Sequence, residues 1–305
     1  MSTTHDVINP ATEEVVTTLD LVGVEETDAA IAKAVEVGPA WRAVSPADRG
    51  MLLRRFADVV EEHTEELARL EVTNAGHTIG NARWEAGNVV NVLRYYSAAP
   101  ERLFGRQIPV AGGLDVTFKE PLGVVSVIVP WNFPLIMTCW KLGPALSTGN
   151  SVIVKPSEKS PLTAIRMAQL ALEAGIPAGV LNILPGFGHT VGKALALHMD
   201  VDTLVFTGST KIAKQLMIYA GESNMKRVWL EAGGKSANIV FADAPCLKTA
   251  AEAAAAAICF NQGEMCTAGS RLLIERSVKD EFMALLLEAM KGWKAGHALD
   301  PATDR

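Results

Sequence analysis

The chain has 305 residues, 49% of them hydrophobic and 20% charged, with 28 Lys and Arg against 34 Asp and Glu and a net charge of −6. That length supports a large core and about two domains. The acidic balance and the lack of any Lys/Arg block exclude the phosphate-neutralising surface that nucleic acids or anionic membranes require.

The start, MSTTHDVINP, lacks the apolar core of a signal peptide, and Cys139, Cys246, Cys259 and Cys266 form no CxxC pair. The expectation is a cytoplasmic protein in a reducing compartment. The first hundred residues read as helical. Their clearest entry signal is Ser45, Pro46 and Asp48, an N-cap followed by a first-position proline and a first-turn carboxylate, after which Leu52, Leu53, Phe56, Val59 and Val60 recur at helical spacing.

Between Leu103 and Pro121 the alternation of Asp115, Val116, Thr117, Phe118 and Lys119 predicts a hairpin projecting from the body. Pro121 to Trp140 carries no formal charge over 20 residues, the length of a membrane span. Pro130, Asn132 and Pro134 interrupt it, so a buried strand, a turn and a helix are expected instead. Short apolar runs follow at Val124 to Val129, Val152 to Val154, Val180 to Leu184 and Leu204 to Phe206, the pattern of strands buried on both faces. Helices are expected between them, one opening at Ser160 and Pro161 and closing at Gly175, another running from Ser209 to about Ala220. The alternation predicts an α/β fold with a doubly wound parallel sheet. A strand at Asn238 to Phe241 and an Ala-rich helix at Ala250 to Ala257 come next, and Leu299 to Arg305 reads as turn.

Ligands of such sheets bind beyond the carboxyl ends of the strands, where helix N-termini attract anions. Pro185 to Gly192 gives a G-x-G-x-x-x-G pattern around Gly186 and Gly188, and Thr207-Gly208-Ser209-Thr210 follows the next strand; each also fits an ordinary tight turn. Pro130-Trp131-Asn132-Phe133-Pro134 brings an amide to the sheet edge, to hold an oxyanion or to satisfy its own turn. Lys155-Pro156-Ser157-Glu158 offers groups for ribose hydroxyls, or a solvated ion pair. Cys266, among small and polar neighbours in Phe260 to Arg271, is a better candidate thiolate than Cys139 or Cys259, which sit among apolar residues. Glu231 beside Gly233 and Gly234 suits a general base, though a lone Glu is usually a surface charge. Gly234-Lys235-Ser236 is no phosphate loop, because Trp229 stands where the motif needs glycine. The six histidines show no metal-ligand spacing, and there is no GxSxG elbow.

PWNFP, KPSE, PGFG, FTGST, LEAGGKS and FNQGEMCTAGSR occur in the order and spacing of the aldehyde dehydrogenase superfamily, which the chain resembles from Asn9 to its end. Within it, LEAGGKS, GSTKIAKQLM and NQGE resemble the dehydrogenases of γ-glutamyl-γ-aminobutyraldehyde and related ω-amino aldehydes. The resemblance implies that Cys266 attacks the aldehyde, that Asn132 and the Cys266 N–H hold the oxyanion, and that Glu231 activates the water that hydrolyses the thioester. It implies NAD at Trp131, Lys155, Ser157, Glu158, Gly188, Phe206, Gly208, Ser209 and Ala232. The carboxylate of Glu158 favours NAD, with NADP possible. It also implies a homodimer or homotetramer joined through the hairpin.

Two departures from the family are small, Ala232 for leucine and Ala213 for glycine. The larger one is length, since about 40 residues follow Cys266 where the family continues for on the order of 100 to 200. The expected organisation is therefore an NAD-binding domain at 1–102 and 122–230, an oligomerisation hairpin at 103–121, and an incomplete catalytic domain at 231–305. The alternatives are a truncated cofactor-binding remnant without turnover and a hydrolase pairing Cys266 with His189 or His198. An uncovered sheet edge and apolar patch are expected of a divided catalytic domain.

Overall fold

The structure, a computed structural model, describes residues 3–303. Its first element corrects the helical expectation: the chain opens with an antiparallel pair, β1 (Thr3–Ile8) and β2 (Val15–Leu21), matched from Thr3↔Leu21 to Ile8↔Val15. The turn between them explains why. The Asn9 side chain accepts the Ala11 N–H at 2.9 Å and the Asn9 carbonyl accepts the Glu13 N–H at 2.8 Å, closing a loop that a helix could not contain. Val22 N–H then donates to Pro185 O at 2.8 Å, anchoring the pair to the central sheet.

Four helices follow: α1 (Val24–Ala43), α2 (Pro46–Glu62), α3 (Thr64–Ala75) and α4 (Ile79–Ser97). Ser45 caps α2 as expected, its Oγ accepting the Asp48 N–H at 3.1 Å. The projecting hairpin is present but shorter than the alternation predicts. Its strands β3 (Gln107–Ile108) and β4 (Asp115–Val116) have two residues each, and Phe104, Leu114 and Phe118 beside them are exposed. With no layer packed on either face, a two-stranded ribbon has little to extend it.

The central sheet is parallel, with strands in the order β7-β6-β5-β8-β9: β5 (Val124–Ile128), β6 (Ser151–Lys155), β7 (Leu181–Ile183), β8 (Thr203–Gly208) and β9 (Arg227–Ala232). Every residue of β5 and β6 is buried. The period-2 alternation divides them between two helical layers. Val125, Val127, Val152 and Val154 pack with α2, α4, α5 (Pro134–Ser147) and α6 (Leu162–Glu173). Val124 and Ile153 pack on the other face with α1 and α7 (Lys193–Leu197), and Ile128 with α8 (Thr210–Glu222). The apolar run of 121–140 is thus β5, a turn and α5. Among the described residues no helix is long and apolar enough to cross a membrane.

Beyond β9, β10 (Ala237–Val240) and β11 (Arg271–Ile274) form a separate parallel pair. One face is covered by α9 (Leu247–Cys259) and α10 (Lys279–Met290) around Val240, Phe282 and Leu286. On this pair Ile239 and Leu273 are about half exposed, as is Trp229 on β9. The turn expected at the end of the chain is present through Thr303, whose N–H donates to Asp300 O at 2.9 Å; Asp304 and Arg305 lie outside the described residues.

Candidate active site

The sheet order reverses between β5, which leads on to β6 and β7, and β8, which leads to β9. At such a switch point the loops diverge and leave a crevice beyond the strand ends. A cleft of about 730 Å³ lies there, lined from each loop by residues that the sequence singles out.

From β5 come Trp131 and Asn132. The two prolines fix the turn, Pro134 opening α5. The Asn132 carbonyl accepts from His77 Nε2 at 2.8 Å and from Asn261 Nδ2 at 3.2 Å, while its side-chain Nδ2 donates to Glu264 O at 2.5 Å. Both readings of Asn132 therefore have a basis. One amide hydrogen is spent locally, and the second is available, since an amide nitrogen carries two.

From β6 come Lys155, Ser157 and Glu158. The pair is not solvated in the ordinary sense: Lys155 is 4% exposed, its Nζ donating to Pro156 O at 2.7 Å and to Glu158 Oε2 at 3.4 Å. Burial lowers the Lys155 pKa and Glu158 counteracts it. From β7 comes the loop whose Gly188–Gly192 segment forms a single π-type turn. A Cβ at Gly186 would stand 2.4 Å from Val191 Cγ2, so glycine is dictated there by packing, whereas at Gly188 it would meet nothing within 4 Å and the backbone faces open cleft. From β8 come Phe206, Gly208 and Ser209. Ser209 caps α8, its Oγ accepting the Ile212 N–H at 3.4 Å. A Cβ on Gly208 would collide with the Phe206 ring at 2.5 Å.

Cys266 reaches the same cleft from the loop after α9 and is exposed. That loop is held in an unusual conformation: Asn261 and Gln262 both adopt left-handed φ, 48° and 54°, where non-glycine residues are strained. Phe260 stacks on Phe133 with ring centroids 6.4 Å apart, joining the Cys266 loop to the Asn132 turn. Cys139 is buried, as the sequence implies, and burial pushes its thiol up; Cys259 is only half-buried. His189 lines the cleft, but His198 lies at the end of α7, its Nε2 3.9 Å from Asp28 Oδ1.

Glu231 and Ala232 sit at the exposed end of β9 and do not line the cleft, though Gly233 next to them does. A residue that the sequence does not single out feels the charges of both Glu231 and Cys266. Lys141, on α5 one turn beyond the cleft residue Met137, donates to Met137 Sδ at 3.5 Å. Burial lowers its ammonium to about 8, against the opposing charges of Glu231 and Cys266. The available signal was a lone lysine inside the apolar stretch of α5. Also missed was a buried trio, Glu71, His77 and Glu85, behind the Asn132 turn.

A sequence profile described as "Aldehyde dehydrogenase family" matches residues 1–305. The NADP/NAD-dependent aldehyde dehydrogenase PuuC of Escherichia coli (strain K12) is 55% identical over 265 residues, 86% of this chain and 54% of PuuC. The crystal structure of the aldehyde dehydrogenase KauB from Pseudomonas aeruginosa superposes with a TM-score of 0.97 at 58% identity, covering 99% of this chain and 62% of that one. The γ-glutamyl-γ-aminobutyraldehyde dehydrogenase from Burkholderia cenocepacia J2315 gives 0.96 at 46% identity, with the same coverage. The chain thus spans only about 54 to 62% of the length of these relatives. On the matched profile, the shared fold and the order of its motifs, the chain belongs to the aldehyde dehydrogenase family.

Proposed function

We propose that this chain carries the thiol site of an NAD(P)-dependent aldehyde dehydrogenase that oxidises an aldehyde to a carboxylic acid. The observation that carries the reading is convergence. Cys266 and Asn132 share one cleft with Lys155, Glu158 and Ser209, although they arrive on four separate loops.

The cleft suits a dinucleotide by its donor set. The N-terminus of α8, opened by Ser209, faces a pyrophosphate with unpaired N–H groups. Glu158, pinned by the buried Lys155, accepts from ribose hydroxyls, and Trp131, Ser157, Phe206 and Gly208 complete the bed around the open backbone at Gly188. A carboxylate at Glu158 repels a 2′-phosphate, which favours NAD while leaving NADP usable. PuuC carries both cofactors in its name. When bound, the nicotinamide would accept the hydride from the substrate carbon.

The protein does the remainder. The Cys266 thiolate adds to the aldehyde carbonyl, giving a thiohemiacetal. The free Asn132 amide hydrogen and the Cys266 N–H hold the oxyanion. Lys141 on α5 interacts electrostatically with Cys266 and Glu231, whose charges oppose the lowering of its own ammonium by burial. After oxidation, Glu231 takes a proton from the water that hydrolyses the thioester. The name of the Burkholderia relative supports an ω-amino aldehyde as the substrate class. The exposed aromatic residues of the hairpin support a homo-oligomer, and four free cysteines support a reducing compartment.

The test is a rapid-mixing assay with NAD and a short ω-amino aldehyde. A burst of NADH from the 305-residue chain, abolished in Cys266→Ala, is the expected result. Folded protein that binds NAD but gives no burst would overturn the activity and favour a cofactor-binding role without turnover.

A further inference from the structure

The reaction residues leave a buried charged trio unexplained. Glu71 on α3, Glu85 on α4 and His77 between these helices are 0% exposed, with polar atoms within 4.8 Å of one another. His77 Nδ1 is 2.9 Å from Glu85 Oε2, and His77 Nε2 is 2.8 Å from the Asn132 carbonyl oxygen. The other Glu85 oxygen accepts the Ile136 N–H at 2.8 Å. One ion pair therefore grips both ends of the Asn132 turn, the carbonyl that begins it and a first-turn amide of α5.

The chemistry of the partners sets the protonation. The Asn132 carbonyl only accepts, so His77 Nε2 donates to it, and Nδ1 is left facing the Glu85 carboxyl. His77 Nδ1 and Glu85 Oε2 stand 2.9 Å apart as a fully buried ion pair. Burial works to lower the His77 pKa, but Glu85, with Glu71 and the Asn132 carbonyl, carries it up to about 9. Burial and the Glu85 charge push Glu71 up to about 8. At neutral pH these directions keep His77 cationic and Glu71 a neutral acid. Phe133 covers the imidazole edge-on at 5.2 Å, and Asn261 donates to the same carbonyl from the Cys266 loop.

We propose that His77 is a positioning residue: bridging Glu85 and the Asn132 carbonyl, it fixes where the Asn132 amide points relative to Cys266. The inference rests on the reading of Asn132 as oxyanion donor. It follows from the shortness of the Asn arm, because a side chain with two torsions inherits any shift of its own backbone. A displacement of about 1 Å at a reacting group costs on the order of 100-fold in rate.

The test uses the 305-residue chain carrying His77→Gln, His77→Lys, Asn132→Ala, or His77→Gln with Asn132→Ala. His77→Gln should slow the NADH burst about 10- to 100-fold and leave NAD affinity unchanged. His77→Lys, which keeps a cationic donor, should restore most of the rate. The His77→Gln loss should vanish in the Asn132→Ala background, because the two then act through one group. An equal loss in both backgrounds, or a loss that tracks NAD affinity, overturns the proposal. If the parent forms no NADH, the functional reading fails on its own, and hydrogen exchange at the Ile136 amide decides the positioning role. Exchange about tenfold or more faster in His77→Gln and restored in His77→Lys is expected; unchanged exchange overturns it. Should His77→Gln not fold, Glu85→Gln carries the same comparisons.

Discussion

Arg49 shows how this molecule holds a buried charge on backbone carbonyls. It is 7% exposed, and its guanidinium donates to Ser147 O at 2.8 Å and Val44 O at 3.0 Å, with longer contacts to the carbonyls of Trp41 and Arg42. These carbonyls close the C-terminal ends of α1 and α5, where intrahelical donors run out and the dipole is negative. Burial lowers the Arg49 pKa, but a guanidinium stays charged through any ordinary pH. Arg49→Met should therefore leave several carbonyls unpaired at once and cost about 2 to 4 kcal/mol, read as a lower urea midpoint with NAD affinity little changed. Arg49→Lys should recover only part of it, since a single ammonium cannot span the fork. A methionine variant as stable as the parent would show that water satisfies those carbonyls.

At the scale of elements, α8 joins stability to binding. Its cap is the Ser209 hydroxyl on the Ile212 N–H, and the same N-terminus faces the cleft. Ser209→Ala should cost about 1 kcal/mol of stability and weaken NAD binding severalfold. Calorimetric melting and a fluorescence titration separate the two, and a normal affinity beside the lowered melting point would remove Ser209 from the proposed pyrophosphate site. This helix was legible in the sequence because its signals are local: cap, spacing and the apolar strand before it. The same holds for β5, β6 and the Pro130 to Pro134 turn. Local signals do not announce β1 and β2, whose strands mix Thr, Asp and Val and are held by an Asn9 turn. Nor do they announce β9, an edge strand that begins with Arg227. The site divides in the same way. Cys266, Asn132 and Lys155 stand in distinctive local motifs. The trio around His77 depends on α3, α4 and α5 packing together, and no spacing along the chain encodes that.

Over the whole molecule, the perturbed groups give stability a direction with pH. On the acid side, Glu65 is held at about 2 by hydrogen bonding to Arg83, with Arg69 adding to it, and Glu66 is lowered by Arg166. Their contributions are present above the ordinary carboxylate range and are lost only as pH falls below about 4.5. Toward neutrality the buried trio dominates. Glu71 titrates at about 8 in the folded protein, so ionising it costs the native state progressively from about 4.5 upward. His77, raised to about 9, contributes fully below its ordinary 6.5 and loses that contribution as pH rises toward 9. Both groups bind more protons folded than unfolded, so both make stability fall with pH, each by at most about 1.4 kcal/mol per pH unit. Lys141 and Lys226, lowered to about 8 by burial, act in the opposite sense, but only between 8 and 10.5. The melting temperature should therefore fall between pH 5 and 8 and turn upward above about 8, where the two lysines outweigh His77. Glu71→Gln, a neutral mimic of the protonated acid, should flatten that descent without shifting the acid limb. A parent profile that is flat from pH 5 to 8, or a Gln variant with an unchanged slope, would mean that Glu71 is already ionised in the fold and that His77 stands between two anions.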